Sequence, residues 1–469
     1  MIPMKSTKGK TVAVMGLGLS GLCTARALMA GGAKVCAWDD SAERRATAEA
    51  EGVPVVALTN GVWRDIDSLI LSPGIPHTHP TTHPVAALAR QHGTEIIGDI
   101  ELLKRAAPDA SFIGITGTNG KSTTTALIGH ILKSADVPVE IGGNLGRPAL
   151  DFALLGSDGR YVLELSSFQL ELTPSAGFDI AILLNITPDH LDRHGGMAGY
   201  IAAKRHIFDD CTGTAIIGID DPMSAAICAD LRKDGTATVV PISGSSPAPG
   251  GVYVERGKLV DDMDGNRIEV AMIDDIVTLP GSHNAQNAAA AYAAARKAGL
   301  PRKNIVDGLR SYPGLAHRQQ LIAVIDGVRY VNDSKATNPE AAARALSSYD
   351  CIYWIAGGRA KDGGLDSIEP YLSHIRHAFL IGEATEPFAT ELGNKVDIQK
   401  SGTLETATRD AHELIRQEKE DDAVLLLSPA CASYDQYPNF EERGRDFERC
   451  VKALPGTDRK FFAAAEAMS

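Results

Sequence analysis

Aromatic residues are scarce, at 5% of 469 residues, and apolar runs such as 180–184 and 423–427 are only strand-sized. A bilayer-spanning helix needs about 20 apolar residues, so no membrane span is expected. The N-terminal stretch lacks the apolar core and small-residue cleavage site of a secretory leader, which points to the cytoplasm. Positive charge is in deficit: 46 Lys and Arg face 59 Asp and Glu, a formal charge of −13. That balance excludes a protein that coats nucleic acid or anionic membrane. It leaves room for small anions, which a few cations and backbone N–H groups can hold inside an acidic protein. The seven cysteines are scattered and contain no Cys-x-x-Cys pair, so reduced structural thiols are expected.

Glycine, by contrast, is abundant at 46 residues, and with 44% hydrophobic residues it favours an α/β protein. At ~150 residues per domain the length predicts three domains. A β-branched run at 10–15 and strand-like runs at 33–38 and 68–71 alternate with helical stretches. The alternation restarts at 111–115, 161–165 and 180–184, and again at 328–331, 351–356, 378–381 and 423–427. Such βαβ series predict parallel sheets with right-handed crossovers. Short alternating strands between 239 and 277, with Asp264-Gly265 as a hairpin turn, predict an antiparallel appendage, and 285–298 reads as a helix. The expected domains are 1–98, 99–313 and 314–469.

Two Gly-rich turns follow strands. Gly16-x-Gly18-x-x-Gly21, with Asp39 at the end of the next strand, has the features of a dinucleotide fingerprint. It suits NAD, another diphosphate, or a tight turn that binds nothing. In Gly114-Ile-Thr-Gly117-Thr-Asn-Gly120-Lys121-Ser122-Thr123, loop N–H groups would cradle phosphates, Lys121 would neutralise them and Ser122 would ligate Mg²⁺. The loop departs from a regular Walker A pattern, because Ile115 stands where a glycine is expected and the glycine is Gly117 instead. An NAD-dependent oxidoreductase accounts for the first turn alone, and a P-loop switch or motor for the second alone. His77, His79 and His83 lie among prolines and read as an extended surface loop, not a metal site.

The segment Thr116-Gly-Thr-Asn-Gly-Lys-Ser-Thr123 resembles the nucleotide loop of the ATP-dependent Mur ligases and their folylpolyglutamate synthase relatives, and the likeness extends over essentially the whole chain. It implies a three-domain α/β Mur ligase architecture: a Rossmann-like N-terminal domain for the uridine diphosphate sugar, a P-loop ATPase-like central domain with the antiparallel appendage, and a Rossmann-like C-terminal domain for the amino acid. The implied chemistry joins a carboxylate to an amine through an acyl phosphate, with ATP and two Mg²⁺ ions. The segment 428–444, from Ser428-Pro-Ala-Cys to Glu-Arg-Gly444, resembles the signature of the branch that adds D-glutamate in peptidoglycan precursor synthesis.

By that resemblance, Gly117, Thr118, Asn119, Gly120, Lys121, Ser122, Thr123 and Asn287 hold ATP, together with Arg318 and Asp333. Ser122, Glu164, His190 and Lys204 ligate metal, Lys204 as a carbamate. Lys121, Glu164, His190, Lys204, Arg318, Asp333 and Lys335 form the catalytic set. Gly18, Leu19, Ser20, Asp39, Ser72, Pro73, Gly74, Asn144 and His190 meet the sugar nucleotide, and Thr337, Lys361, Ser433 and Phe440 meet glutamate. Relatives can carry Thr-Arg where this chain has Asp40-Ser41, so one cation near the uridine is missing or comes from elsewhere. The expected partners are small molecules only, with the chain a monomer.

Overall fold

In the computed structural model, strands β1 (Thr11–Met15), β2 (Lys34–Trp38), β3 (Ser68–Leu71) and β4 (Glu95–Ile97) form a parallel sheet in the order β2-β1-β3-β4. Residues 1–462 are described, apart from 145, 176, 212, 277, 280, 361–363 and 421. The β1 run Val-Ala-Val-Met is buried on both faces, as a strand covered by helices must be.

A nine-stranded sheet follows, made from β5 (Ser111–Thr116), β6 (Val139–Gly143), β7 (Arg160–Glu164), β8 (Ile180–Leu183), β9 (Thr214–Gly218), β10 (Thr238–Ser243), β11 (Val252–Glu255), β12 (Lys258–Asp261) and β13 (Ile268–Met272). Its order is β13-β12-β11-β10-β9-β8-β5-β7-β6. β10 and β11 continue the parallel pairing, and only β12 and β13 run antiparallel to their neighbours. The expected appendage is therefore the edge of the main sheet. The Asp264-Gly265 hairpin is present between β12 and β13. A second hairpin turns at Arg256-Gly257, both with positive φ, 52° and 75°. That type I′-like turn is hidden in the sequence because Arg is not a usual left-handed residue.

A third sheet comprises β14 (Gln320–Ile325), β15 (Val328–Asn332), β16 (Ile352–Gly357), β17 (Ile375–Ile381), β18 (Asp397–Gly402), β19 (Val424–Leu427) and β20 (Arg459–Phe461) in the order β18-β17-β16-β19-β15-β14-β20. Five strands are parallel, while β14 and β20 close one edge antiparallel. β14 turns into β15 through Asp326-Gly327, with φ of 50° and 88°. The chain divides into two units, one of 1–275 with 283–310 and the other of 276–282 with 311 onward.

Within the first unit the proline-flanked histidines go to separate partners. His77 Nε2 lies 3.2 Å from Glu171, His83 Nε2 lies 3.1 Å from Asp40, and the His79 ring sits against Gly195. Among the described residues, no group of three or more His, Cys, Asp or Glu is placed to hold a metal, and no helix is long and apolar enough to cross a membrane.

The first Gly-rich turn is fixed by close backbone approach. A Cβ at Gly21 would lie 1.8 Å from the Gly16 carbonyl oxygen, which cannot move without breaking the turn. Gly21→Ala is therefore expected to destabilise the protein by about 1–3 kcal/mol, read as a lower urea midpoint.

Candidate functional site

The helix Lys121–Ser134 begins at the carboxyl end of β5, so its N-terminus and the preceding loop face the same edge as the ends of β7 and β8. Open α/β sheets place ligands at this edge. Gly117 and Gly120 have φ of 151° and 81°, a backbone that aims successive N–H groups outward. Asn185, at the end of β8, braces the loop. Its Oδ1 accepts from Asn119 N at 2.9 Å, its Nδ2 donates to the Asn119 carbonyl at 3.3 Å, and its own carbonyl accepts from Thr118 N at 2.9 Å. The Thr118 hydroxyl lies 3.1 Å from Tyr200 Oη.

Lys121 Nζ donates to the carbonyls of Gly117 and Thr118, each at 2.8 Å. Lys204 Nζ donates to the same Gly117 carbonyl at 2.8 Å and sits 4.7 Å from the centre of the Tyr200 ring. Burial, with the Lys121 charge alongside, pushes the Lys204 pKa down to about 7. A large fraction of this amine is thus neutral near pH 7.

Glu164, at the end of β7, is 3% exposed. Asn144 Nδ2 donates to its Oε1 at 2.8 Å, while Oε2 is buried with no hydrogen-bond partner among the described residues. A buried ionised oxygen in that state is costly unless a cation meets it. A Mg²⁺ ion that takes few protein ligands and completes its shell with phosphate and water suits this donor set of Glu164 Oε2 and the Ser122 hydroxyl. Asn144, expected at the substrate, orients this carboxylate. His190 has a left-handed backbone (φ 49°) and a half-exposed ring, 3.5 Å from Asp189 and 5.2 Å from the Phe168 ring.

Asn287 is 2% exposed and occupied within the fold: Thr124 Oγ1 donates to its Oδ1 at 3.1 Å, and its Nδ2 donates to Asn284 Oδ1 at 3.0 Å. Its Oδ1 would lie 2.3 Å from a Cβ at Gly120. It supports the loop from beneath.

At the first turn, Gly18 caps the helix Leu19–Ala30, and Leu19 is 73% exposed at its mouth. Asp39 faces inward: Oδ2 accepts from Leu17 N at 2.7 Å and Oδ1 from Ser41 N at 2.8 Å. Burial opposes its charge, but these N–H bonds and the Arg44 guanidinium hold its carboxyl below the usual range. Asp39 therefore positions the turn. Arg44 Nη1 lies 3.5 Å from Asp39 and 4.0 Å from where a Gly18 Cβ would stand, so a cation does occur at this corner. Ser72 Oγ donates to the Gly16 carbonyl at 3.1 Å, and Arg193 Nη1 donates to the Gly74 carbonyl at 3.0 Å. Asp99 packs beside Ser20, and burial raises it to about 6.

In the second unit, Asp333 is buried, accepting from Ser428 Oγ at 2.8 Å and Gln319 N at 3.1 Å, and burial raises its pKa to about 7. Lys335 Nζ sits 5.0 Å from the centre of the Phe440 ring, and Ser334 Oγ donates to the Phe440 carbonyl at 2.8 Å. Ser433 is 2% exposed, its carbonyl starting the turn that leads to Phe440. Thr337 immediately precedes the helix-capping Asn338, and Arg318 acts electrostatically on Asp333. Arg443, inside the 428–444 signature but given no role by it, is 1% exposed and donates to the carbonyls of Ser334 and Cys431. Lys361 lies outside the described residues.

Sequence pattern had no means of assigning Asn185, Tyr200 or Phe168, because each acts by bracing a neighbour. Asn185 and Phe168 nonetheless lie within a few residues of His190 and Glu164, which is the signal they carry.

Residues 10–98 match the Mur ligase MurD-like N-terminal domain, 115–295 the Mur ligase middle domain and 317–431 the Mur ligase glutamate ligase domain. The chain is 52% identical over 464 residues to the UDP-N-acetylmuramoylalanine-D-glutamate ligase of Rhodospirillum rubrum, with 97% of each chain covered. It is 51% identical to the enzyme of that name from Paramagnetospirillum magneticum, over 97% of this chain and 99% of the relative. Among solved structures, UDP-N-acetylmuramate-alanine ligase MurC of Thermotoga maritima superposes with a TM-score of 0.55 at 18% identity, covering 95% of this chain and 99% of that one. MurF of Acinetobacter baumannii gives 0.55 at 18%, covering 96% and 93%. These two are likenesses of fold. With all three regions matched and relatives this similar along the full length, the chain belongs to the Mur ligase family.

Proposed function

We propose that this chain is an ATP-dependent ligase that adds D-glutamate to UDP-N-acetylmuramoyl-L-alanine, a cytoplasmic step of peptidoglycan precursor synthesis. The observation that carries the reading is a phosphate loop with Lys121 at its helix start, beside an unsatisfied Glu164 oxygen, in a chain half identical to ligases of that name. Residues 1–98 are assigned to the sugar nucleotide, 99–313 to ATP and 314–469 to glutamate.

The alanyl carboxylate attacks the γ-phosphorus of ATP, releasing ADP and forming an acyl phosphate. The glutamate amine attacks the acyl carbon, loses a proton, and the tetrahedral intermediate collapses to an amide and phosphate. Loop N–H groups and Lys121 hold the phosphates; Lys121 leaves its carbonyl partners for phosphate oxygens as ATP enters. When bound at Ser122 and Glu164, Mg²⁺ supplies charge neutralisation at the transferring phosphoryl group. His190 and the turn at Gly18, Leu19 and Ser20, with Ser72, Pro73 and Gly74, orient the sugar nucleotide. Arg318, Asp333 and Lys335 are assigned as the second unit's catalytic contribution, and Thr337, Lys361, Ser433 and Phe440 as its glutamate-binding residues.

Lys204 is assigned as a carbamate. A neutral amine adds to CO₂, forming an N–C bond and releasing one proton, and the depressed pKa favours that neutral form. The product is a hard oxygen donor in place of a buried cation, fitted to a second Mg²⁺.

Lys121→Ala is expected to reduce glutamate-dependent phosphate release by at least ~10³-fold while leaving the circular dichroism spectrum unchanged. The assay is run with the muramoyl-alanine nucleotide and both glutamate enantiomers. Phosphate release that ignores glutamate would sink the ligase reading in favour of a plain ATPase.

Lys204→Ala is expected to be inactive and partly rescued by millimolar acetate or formate. Full activity without added carboxylate would exclude the carbamate.

For Asp333 the folded pKa is raised from 3.8 to about 7, so its stabilising contribution is complete at low pH and is lost as pH rises through that window. Urea unfolding should therefore show Asp333→Asn gaining stability relative to the parent between pH 4 and pH 7, with a plateau above.

A further inference from the structure

Phe168 and Arg193 take no part in phosphoryl transfer, yet they join the reaction centre to the segment that receives the sugar nucleotide. The Arg193 guanidinium lies 4.4 Å from the centre of the Phe168 ring. Its Nη1 donates to the Gly74 carbonyl at 3.0 Å and its Nη2 to the Pro73 carbonyl at 3.4 Å. Phe168 in turn packs 5.2 Å from His190 and stacks on His194, with centroids 5.2 Å apart and planes 15° from parallel.

His194 cannot yield. Its side chain has no exposed surface, its Nδ1 lies 3.0 Å from Glu171 Oε1 and its Nε2 2.9 Å from Ser167 Oγ. The Phe168 ring therefore has an immobile imidazole on one side and a cation tied to the Pro73-Gly74 carbonyls on another. His190 has no such frame among the described residues: its ring is half exposed, with Asp189 3.5 Å from its Nε2. Its orientation is set largely by the aromatic face beside it. At the other end, Ser72 ties the same segment to the Gly16 turn. A continuous run of contacts thus links the diphosphate turn, Pro73-Gly74, Arg193, Phe168 and His190.

We infer that Arg193, acting through Phe168, is a positioning residue that fixes the distance and orientation between the Ser72-Pro73-Gly74 segment and His190. On the functional reading above, it selects a ligand long enough to meet both ends, the complete sugar nucleotide with its acyl-alanine, over the uridine diphosphate that meets only one. Arginine suits the role because its planar fork can serve two carbonyls while its face stacks on a ring, which lysine cannot do.

Isothermal titration calorimetry with UDP and with UDP-N-acetylmuramoyl-L-alanine tests this on the full chain and on Arg193→Lys, Arg193→Ala, Phe168→Leu and the Arg193→Ala/Phe168→Leu double variant. UDP affinity is expected to stay within about twofold throughout, because the first turn is untouched. Affinity for the complete sugar nucleotide should fall about tenfold in Arg193→Ala and in Phe168→Leu, the scale of one lost charge-assisted contact. The double variant should be no weaker than the worse single variant, since both act through one contact, and kcat should fall in parallel. Arg193→Lys, which keeps the charge and secures the fold, should lie between. Equal losses for UDP and the sugar nucleotide, additive losses in the double variant, or unchanged sugar-nucleotide affinity would each overturn the inference. A parent chain that binds neither ligand overturns the functional reading itself, and that outcome is visible before any variant is compared.

Discussion

Two ammonium groups converge on one oxygen: Lys121 and Lys204 both donate to the Gly117 carbonyl at 2.8 Å. Like charges held this close are unfavourable, and the fold answers the conflict in two ways. Burial brings the Lys204 pKa down to about 7, and Lys121 remains partly exposed at the loop, where an anion can take it. The left-handed glycines, the Asn185 brace and the Tyr200 ring all maintain that convergence. Without it, Lys204 would be an ordinary cation on a helix.

The same economy recurs at Glu164, where Asn144 satisfies one oxygen and leaves the other bare. A second donor there would satisfy the carboxylate and, on the proposed reading, weaken cation binding. The unsatisfied oxygen is a cost borne by the fold at the point where charge is needed. In the second unit Asp333 follows a related pattern: two hydrogen bonds define its geometry, while enclosure keeps its charge expensive.

Much of the architecture was legible, because βαβ alternation and Gly-rich turns have strong signatures. The parallel strands at β1, β3, β5 and β8 begin where their strand-like runs begin, within a residue. The edges were harder to read. β14, the first arm of the hairpin that turns at Asp326-Gly327, lies outside the runs that the sequence pattern marks. β10 and β11 pair with each other in parallel although their segment was expected to be antiparallel, since a short strand run does not state the direction of its neighbour. At the site, residue types with intrinsic chemistry stood out, Lys121, Glu164 and Lys204 among them. Asp39 and Asn287, residue types suited to ligand contacts, also make hydrogen bonds that hold their own loops. A sequence records which groups can make a hydrogen bond, but tertiary packing determines which partner reaches them first.

The Asn185 brace has a consequence for product release. It grips Asn119 through both its N–H and its carbonyl, so the fold's own hydrogen bonds shape the loop. A preformed loop of backbone N–H groups contributes equally to any nucleotide that offers the same α- and β-phosphates. Substrate and spent nucleotide would therefore be held alike by this element. The discrimination that lets the spent nucleotide leave has to reside in groups that sense the terminal phosphate, and turnover is tuned there and not in the loop.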